Sequence, residues 1–203
     1  MKQNEIRSQL IDGTIRVIAR DGLDKASAKQ IESETGINVV YIYRCFRDKE
    51  DMFAQVFLGL DHELIDQILT ALPVMELPSL SVEKRCRLLF EAIWRFLLGN
   101  SEKCLCYIRY YHSRYFQEYS SKAHQAAYRP IVAKFSEMFL EEANVWMLLN
   151  HILNVMLDFA VKVFHGDVPN DEDTSEHVFR LIYYSIRPYF KNQASSSETT
   201  TDL

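Results

Sequence analysis

The run from Ser27 to Lys49, S-A-K-Q-I-E-S-E-T-G-I-N-V-V-Y-I-Y-R-C-F-R-D-K, constrains this chain more than any other stretch. Ser27 and Gln30 have the spacing of a capping box, which satisfies two of the amide donors left open at a helix start. A helix therefore begins here. It ends at about Thr35, because Gly36 readily takes the left-handed conformation that closes a helix. Asn38 is placed to cap a second short helix, from Val39 to about Arg44. Two short helices about a glycine turn make a helix-turn-helix, in which the first braces across the DNA backbone and the second lies in the major groove. The expected partner is a double-stranded DNA operator.

The remaining punctuation predicts helices throughout. A first helix from Gln3 to Asp21 carries Ile6, Leu10, Thr14, Val17 and Ile18 on one stripe, with Gly13 allowing close packing and Gly22 as the stop. Asp48 caps a long fourth helix, apolar from Met52 to Leu69, that runs until Pro73. The segment from Pro73 to Ser81 reads as a connection. Further helices are expected from Ser81 to Leu98, from Ser101 to Tyr119, from Ser120 or Ser121 onward with a kink or break near Pro130, from Asn144 to His165, and from Asp173 or Thr174 to Tyr189. The fold class is all-α with about nine helices. A three-helix DNA-binding domain is expected over 1–48, a helical effector-binding and dimerisation domain over 49–191, and a disordered low-complexity tail over 192–203.

Composition narrows the function. No apolar run approaches the roughly 18 residues of a membrane span, and no signal-peptide pattern opens the chain, so a cytoplasmic protein without a membrane partner is expected. Cys45, Cys86, Cys104 and Cys106 show no C-x-x-C pair, and the six histidines show no metal-binding spacing. No catalytic motif, metal site or cofactor is expected. The formal charge of −5 is unusual for a DNA binder. Locally, however, Arg44, Arg47 and Lys49 stand against Asp48 alone, and phosphate affinity depends on that local balance.

In its first quarter the chain resembles the TetR family of bacterial transcriptional regulators. The matching segments are L-I-D-G-T-I-R-V-I-A-R-D-G (Leu10 to Gly22), A-S-A-K-Q-I (Ala26 to Ile31), T-G-I-N (Thr35 to Asn38) and Y-R-C-F-R-D-K-E (Tyr43 to Glu50). Glu32, Val39, Val40 and Tyr41 depart from the family pattern. The resemblance implies a homodimeric regulator, a repressor on a palindromic operator, released by a small effector. It also implies phosphate contacts from Tyr43 and Lys49 and dimerisation through the last two helices.

Candidate residues follow. Tyr43 and Lys49 are expected at phosphates, with Ser27 as a cap beside open amides. Lys29, Asn38, Val39, Val40, Tyr41 and Arg44 are the groove candidates, since Asn and Arg make bidentate bonds to base edges and Val touches thymine methyls. Tyrosine is dense between Cys106 and Ser120, and each buried hydroxyl needs a partner, so Tyr107, Tyr111, His112, Tyr115 and Phe116 are the candidate effector contacts for an apolar or aromatic ligand. Wide apolar faces nominate Trp146, Leu153, Phe179, Ile182 and Ile186 for the dimer interface. The rival readings are a thiol sensor or helical enzyme built on Cys104, Cys106 and His112, and a helical interaction protein whose Glu32 and Tyr41 have ended DNA binding.

Overall fold

The computed structural model describes residues 3–191, and among them every regular element is a helix. α1 spans Gln3–Asp21, α2 Ala28–Thr35, α3 Val40–Cys45 and α4 Lys49–Ala71. α5 spans Val82–Leu98, α6 Ser101–Tyr111, α7 Ser121–Met138, α8 Val145–His165 and α9 Glu172–Ile186. The expected tail, 192–203, lies outside the described residues.

The caps read from the sequence are present as bonds. Ser27 Oγ accepts from the Gln30 amide at 3.2 Å while Gln30 Oε1 accepts from the Ser27 amide at 3.1 Å. Gly36 closes α2 with φ of 70°. Asp48 Oδ1 accepts from the Asp51 amide at 2.7 Å, and Asn144 Oδ1 from the Met147 amide at 3.0 Å. Asn38 Oδ1 accepts from the Val40 amide at 3.0 Å, starting α3 one residue later than expected.

Several boundaries differ from the sequence reading, each for a local reason. Pro73 does not end regular structure: it sits at the start of a 3-10 turn, Leu72–Glu76, where a missing N–H removes no helical bond. Asn100, not Ser101, precedes α6, and its side-chain amide donates back to the Phe96 carbonyl at 2.8 Å instead of capping forward. α6 stops at Tyr111 because Ser113 folds back, its amide and hydroxyl donating to the Tyr110 carbonyl at 2.9 and 2.6 Å. A π-turn, Phe116–Ser120, then leads into α7 and turns both end residues inward. α7 runs through Pro130 without interruption. Both Pro130 and Ala126, whose carbonyl loses its donor, lie on the exposed face where water replaces the bond. α9 is capped by Asp171, which accepts from the Thr174 amide at 2.8 Å, and ends at Ile186 before a 3-10 turn, Arg187–Tyr189.

α1 packs on α2, α3, α4 and α6, so the N-terminal helices rest on two helices of the larger body. The α1–α2 approach depends on Gly13, where a Cβ would lie 2.1 Å from Thr35 Cγ2. Arg16 and Arg20 both pair with Glu34 of α2, at 2.6 and 2.9 Å. Arg109 of α6 donates to the Ile18 carbonyl of α1 at 2.8 Å, fixing the end of α1 to the C-terminal helices. The rest of the chain is a layered bundle in which α8 touches α5, α6, α7 and α9.

One expectation about membranes needs correction. By length and composition alone, α8 is long and apolar enough to cross a bilayer. It nevertheless carries exposed His151, Asn154 and Asp158 along one stripe, three polar groups that hydrocarbon would leave unsolvated. Its buried residues, Val145, Leu148, Leu149, Met156, Leu157 and Ala160, pack into the bundle.

Candidate DNA-reading face and candidate effector cavity

α3 divides its side chains by the helical period. Ile42 is fully buried, Val39 and Tyr41 pack against the core, and Val40, Tyr43 and Arg44 stand outward at i, i+3 and i+4. Tyr43 is 60% exposed, which removes a core role and leaves its hydroxyl free for an external acceptor. Arg44 lies over the ring of half-buried Tyr41 at 5.1 Å, so the ring backs the exposed guanidinium. Ser27, Lys29 and Asn38 are exposed beside it. The Ser27 hydroxyl and the Asn38 carbonyl oxygen are occupied as caps, which leaves the Asn38 amide group for an outside partner. Lys49 opens α4 with its ammonium 5.5 Å from the Phe53 ring centre and 3.8 Å from Glu50.

Three of the four thiols are unsuited to sensing. Burial pushes Cys86, Cys104 and Cys106 up to about 12, so they stay protonated and weakly nucleophilic at neutral pH. No cluster of three metal-ligating side chains exists among the described residues.

The tyrosine-rich stretch turns out to be mostly core. Tyr107 donates to Asp61 Oδ1 at 3.0 Å, Tyr110 shares a 3.0 Å hydrogen bond with Ser120, and Tyr111 donates to Asn150 Oδ1 at 3.0 Å. Phe57 gathers Tyr107, Tyr110 and Phe116 at 4.9, 4.9 and 5.4 Å. His112 is exposed on the outer surface, away from any enclosed space. Tyr115 lies edge-on to Phe53 at 6.4 Å, toward the N-terminal helices. Of the five expected effector contacts, Tyr107 and Tyr111 alone border a cavity, whereas Phe116 is packed solid.

A separate apolar space lies among α5, α7, α8 and α9. It is a cavity of about 60 Å³ lined by Phe90, Tyr128, Phe135, Leu149, Met156 and Phe179, among others. A second cavity of about 20 Å³ adjoins it, bordered by Tyr107, Tyr111, His124, Trp146 and Asn150. Tyr128, Leu149 and Leu153 line both, so one tyrosine stands at their junction. The Tyr128 hydroxyl is buried and makes no hydrogen bond. An unsatisfied buried polar group costs about 1–3 kcal/mol, and a ligand that satisfies it recovers that amount. Burial first, and then the nearby Asp61 carboxylate, hold this phenol above its ordinary range.

Asp61 itself is fully buried, with His124 Nδ1 at 2.9 Å from Oδ2. Neither residue was singled out from the sequence. A signal was available: Asp61 interrupts the apolar stripe of α4 between Phe57 and Leu64, and His124 leads the stripe His124, Tyr128, Ile131, Phe135 of α7.

The expected interface residues also point inward. Phe179, Ile182 and Ile186 are buried within the single chain and line the larger cavity, Leu153 lines both cavities, and the Trp146 ring lies 5.8 Å from His124. The outward apolar side chains of α8 and α9 are instead Met147, Leu181 and Tyr184, exposed by 60%, 56% and 55%. A wide apolar face does not by itself say which part the monomer core has already taken.

Residues 10–56 match the family described as bacterial regulatory proteins, tetR family. The chain is 36% identical over 67 residues to the HTH-type nicotine-responsive transcriptional repressor HdnoR of Paenarthrobacter nicotinovorans, a match spanning 33% of this chain and 32% of that repressor. Its whole fold is similar to a TetR family transcription regulator from Marinobacter aquaeolei, with a TM-score of 0.74 at 15% identity over 91% of this chain and 98% of the other. It is similar also to one described as a putative tetR family transcription regulator from a Shewanella species, with a TM-score of 0.70 at 17% identity over 88% and 96%. Residues 10–56 thus carry a TetR-type helix-turn-helix, and the fold of the chain as a whole is similar to that of solved TetR-family regulators.

Proposed function

We propose that the chain is an effector-responsive transcriptional repressor that binds a palindromic operator as a homodimer, works in the cytoplasm, and releases DNA when a small apolar or aromatic molecule enters its C-terminal cavity. The observation that carries this reading is the pairing of an outward α3 with an apolar cavity in one helical body. The relative that responds to nicotine supports small-molecule control of repression. In this reading Tyr43 and Lys49 hold phosphates, while Lys29, Asn38, Val40, Tyr41 and Arg44 face the groove. Met147, Leu181 and Tyr184 form the self-complementary face. The N-terminal helices of residues 1–48 then act as the DNA-binding domain and residues 49–191 as the sensing and dimerising domain.

A cavity of about 60 Å³ is far below the roughly 300–1,000 Å³ of a pocket that holds a drug-sized ligand. An effector must therefore favour a widened conformation, and it acts on DNA only through the difference in its affinity for the two forms. α4, which begins at Lys49 beside α3 and reaches Ile68 on the cavity wall, is the mechanical link.

The test is binding of the full chain to the DNA upstream of its own gene, measured against salt. Lys49→Ala is expected to weaken binding and reduce the slope of log K against log salt by about 0.9, the release expected for one phosphate contact. An unchanged affinity and slope would take Lys49 out of the interface; no binding to that DNA at any salt would count against the operator reading.

A further inference from the structure

We infer that the effector carries one cationic nitrogen, an amine or a protonated heterocycle, seated at the junction of the two cavities beside Tyr128 and the Asp61–His124 pair, with its apolar body in the larger cavity. This rests on the effector reading above and names the ligand's chemistry.

Asp61 is fully buried, and its hydrogen-bond partners among the described residues are the Tyr107 hydroxyl and His124 Nδ1. Among the described residues no Lys or Arg forms an ion pair with it. Its partners Tyr107 and His124 line the smaller cavity, so a negative charge on Asp61 is felt there through them. Nδ1 of His124 faces Asp61, so Nε2 lies on the opposite edge of a ring that lines the smaller cavity. The Tyr128 hydroxyl is without a hydrogen bond. Both side chains line the smaller cavity, with ring centres 4.6 Å apart.

The walls there are aromatic. Around the His124 ring stand Tyr128 at 4.6 Å, Tyr111 at 5.6 Å and Trp146 at 5.8 Å, measured between ring centres. Ring faces carry the negative end of the aromatic quadrupole, so they attract a cation and repel an anion. The carboxylate and the rings therefore select the same charge. An ammonium or pyridinium-type N–H donates to the Tyr128 oxygen and to His124 Nε2, and its charge acts on Asp61 through the imidazole. A purely apolar ligand would fill the larger cavity and leave the Tyr128 hydroxyl unsatisfied.

Three probes with one skeleton separate these cases: benzylamine, cationic at neutral pH; ethylbenzene, its neutral carbon counterpart; and phenylacetate, an anion. Titrated into the full chain by calorimetry and thermal shift, benzylamine is expected to bind at least tenfold tighter than ethylbenzene, with phenylacetate weakest. Asp61→Asn keeps the side-chain shape and should abolish the preference while leaving ethylbenzene binding unchanged. Tyr128→Phe removes a hydroxyl that makes no bond, so its folding is secure; it should weaken benzylamine several-fold and ethylbenzene not at all. Equal binding of benzylamine and ethylbenzene, tighter binding of phenylacetate, or an undiminished preference in both variants overturns the cationic assignment while leaving an apolar effector cavity in place. Failure of all three probes to bind overturns the assignment and the cavity reading together.

Discussion

The two ends of this molecule place their functional groups by opposite means. At the DNA-reading end, residues 27–49, every candidate group is displayed by a local device: a capping box, a glycine turn, a six-residue helix and an aspartate cap. At the sensing end, the polar groups are assembled from helices far apart in the chain, with Asp61 on α4, Tyr107 on α6, and His124 and Tyr128 on α7. The first arrangement depends on spacing along the sequence. The second depends on tertiary packing, and a mutation there perturbs fold and function together.

That contrast is tested most severely on α9, where neighbouring apolar residues serve different ends. Phe179→Asp should unfold the chain, because it removes a buried ring and leaves an uncompensated charge, a loss of about 4 kcal/mol or more against a total stability of about 5–15 kcal/mol. Leu181→Glu, two positions on but outward, should leave the melting temperature of the monomer nearly unchanged and give monomers by sedimentation. A folded, soluble Phe179→Asp protein, or a Leu181→Glu protein that stays dimeric, would erase the distinction between core and interface drawn here.

The difference explains what was legible in the sequence. Ser27, Gly36 and Asp48 act on amides within a few residues, so their types and spacing define the elements they close. Lys49, Tyr43 and Arg44 follow from where those elements start. The end of α6 at Tyr111 was hidden because nothing in Y-Y-H-S-R-Y-F breaks a helix; Ser113 folds back on Tyr110, and the rings around Phe57 hold the π-turn that follows. The cavity was hidden for the same reason. Dense tyrosine drew attention to Tyr107–Phe116, yet most of those hydroxyls found partners, and the one left unsatisfied, Tyr128, lies a helix away. Likewise the apolar periodicity of α9 marks Phe179, Ile182 and Ile186 as one face, but only packing decides that this face turns inward.

A smaller effect sharpens the local side of the comparison. Ser27→Ala removes the hydroxyl that accepts from the Gln30 amide and should cost about 1 kcal/mol, seen as a lower melting temperature. Its effect on ligand binding in the C-terminal cavity should be nil. A loss of ligand affinity in this variant would mean that the two ends are not separable in the way their construction suggests.

The smallest effect is electrostatic and lies beside the cavity. Arg87 of α5 pairs with Glu176 of α9 and covers the Phe179 ring at 4.1 Å, and with Arg180 it holds the Glu176 carboxyl down at about 2. A depressed carboxyl stabilises the fold above its ordinary value of about 4.3, and that contribution is lost as pH falls toward its folded value. Because the pair is partly exposed, the effect is below about 1 kcal/mol. Glu176→Gln should therefore be slightly less stable than the parent at pH 6, with the difference vanishing near pH 2. A difference that grows on acidification would show the sign to be wrong.

The central claim is that cavity and recognition helix are thermodynamically linked, and reciprocity tests it directly. For any compound that raises the melting temperature of the full chain, two quantities should be measured: its dissociation constant with and without saturating operator, and the operator dissociation constant with and without saturating compound. Linkage requires both to change by the same factor, expected at about 5–150-fold in the weakening direction. Lining substitutions such as Leu153→Trp, which fill the cavity, should abolish both changes together. A compound that binds in the cavity, is excluded by Leu153→Trp, and yet leaves operator affinity unchanged would contradict the account.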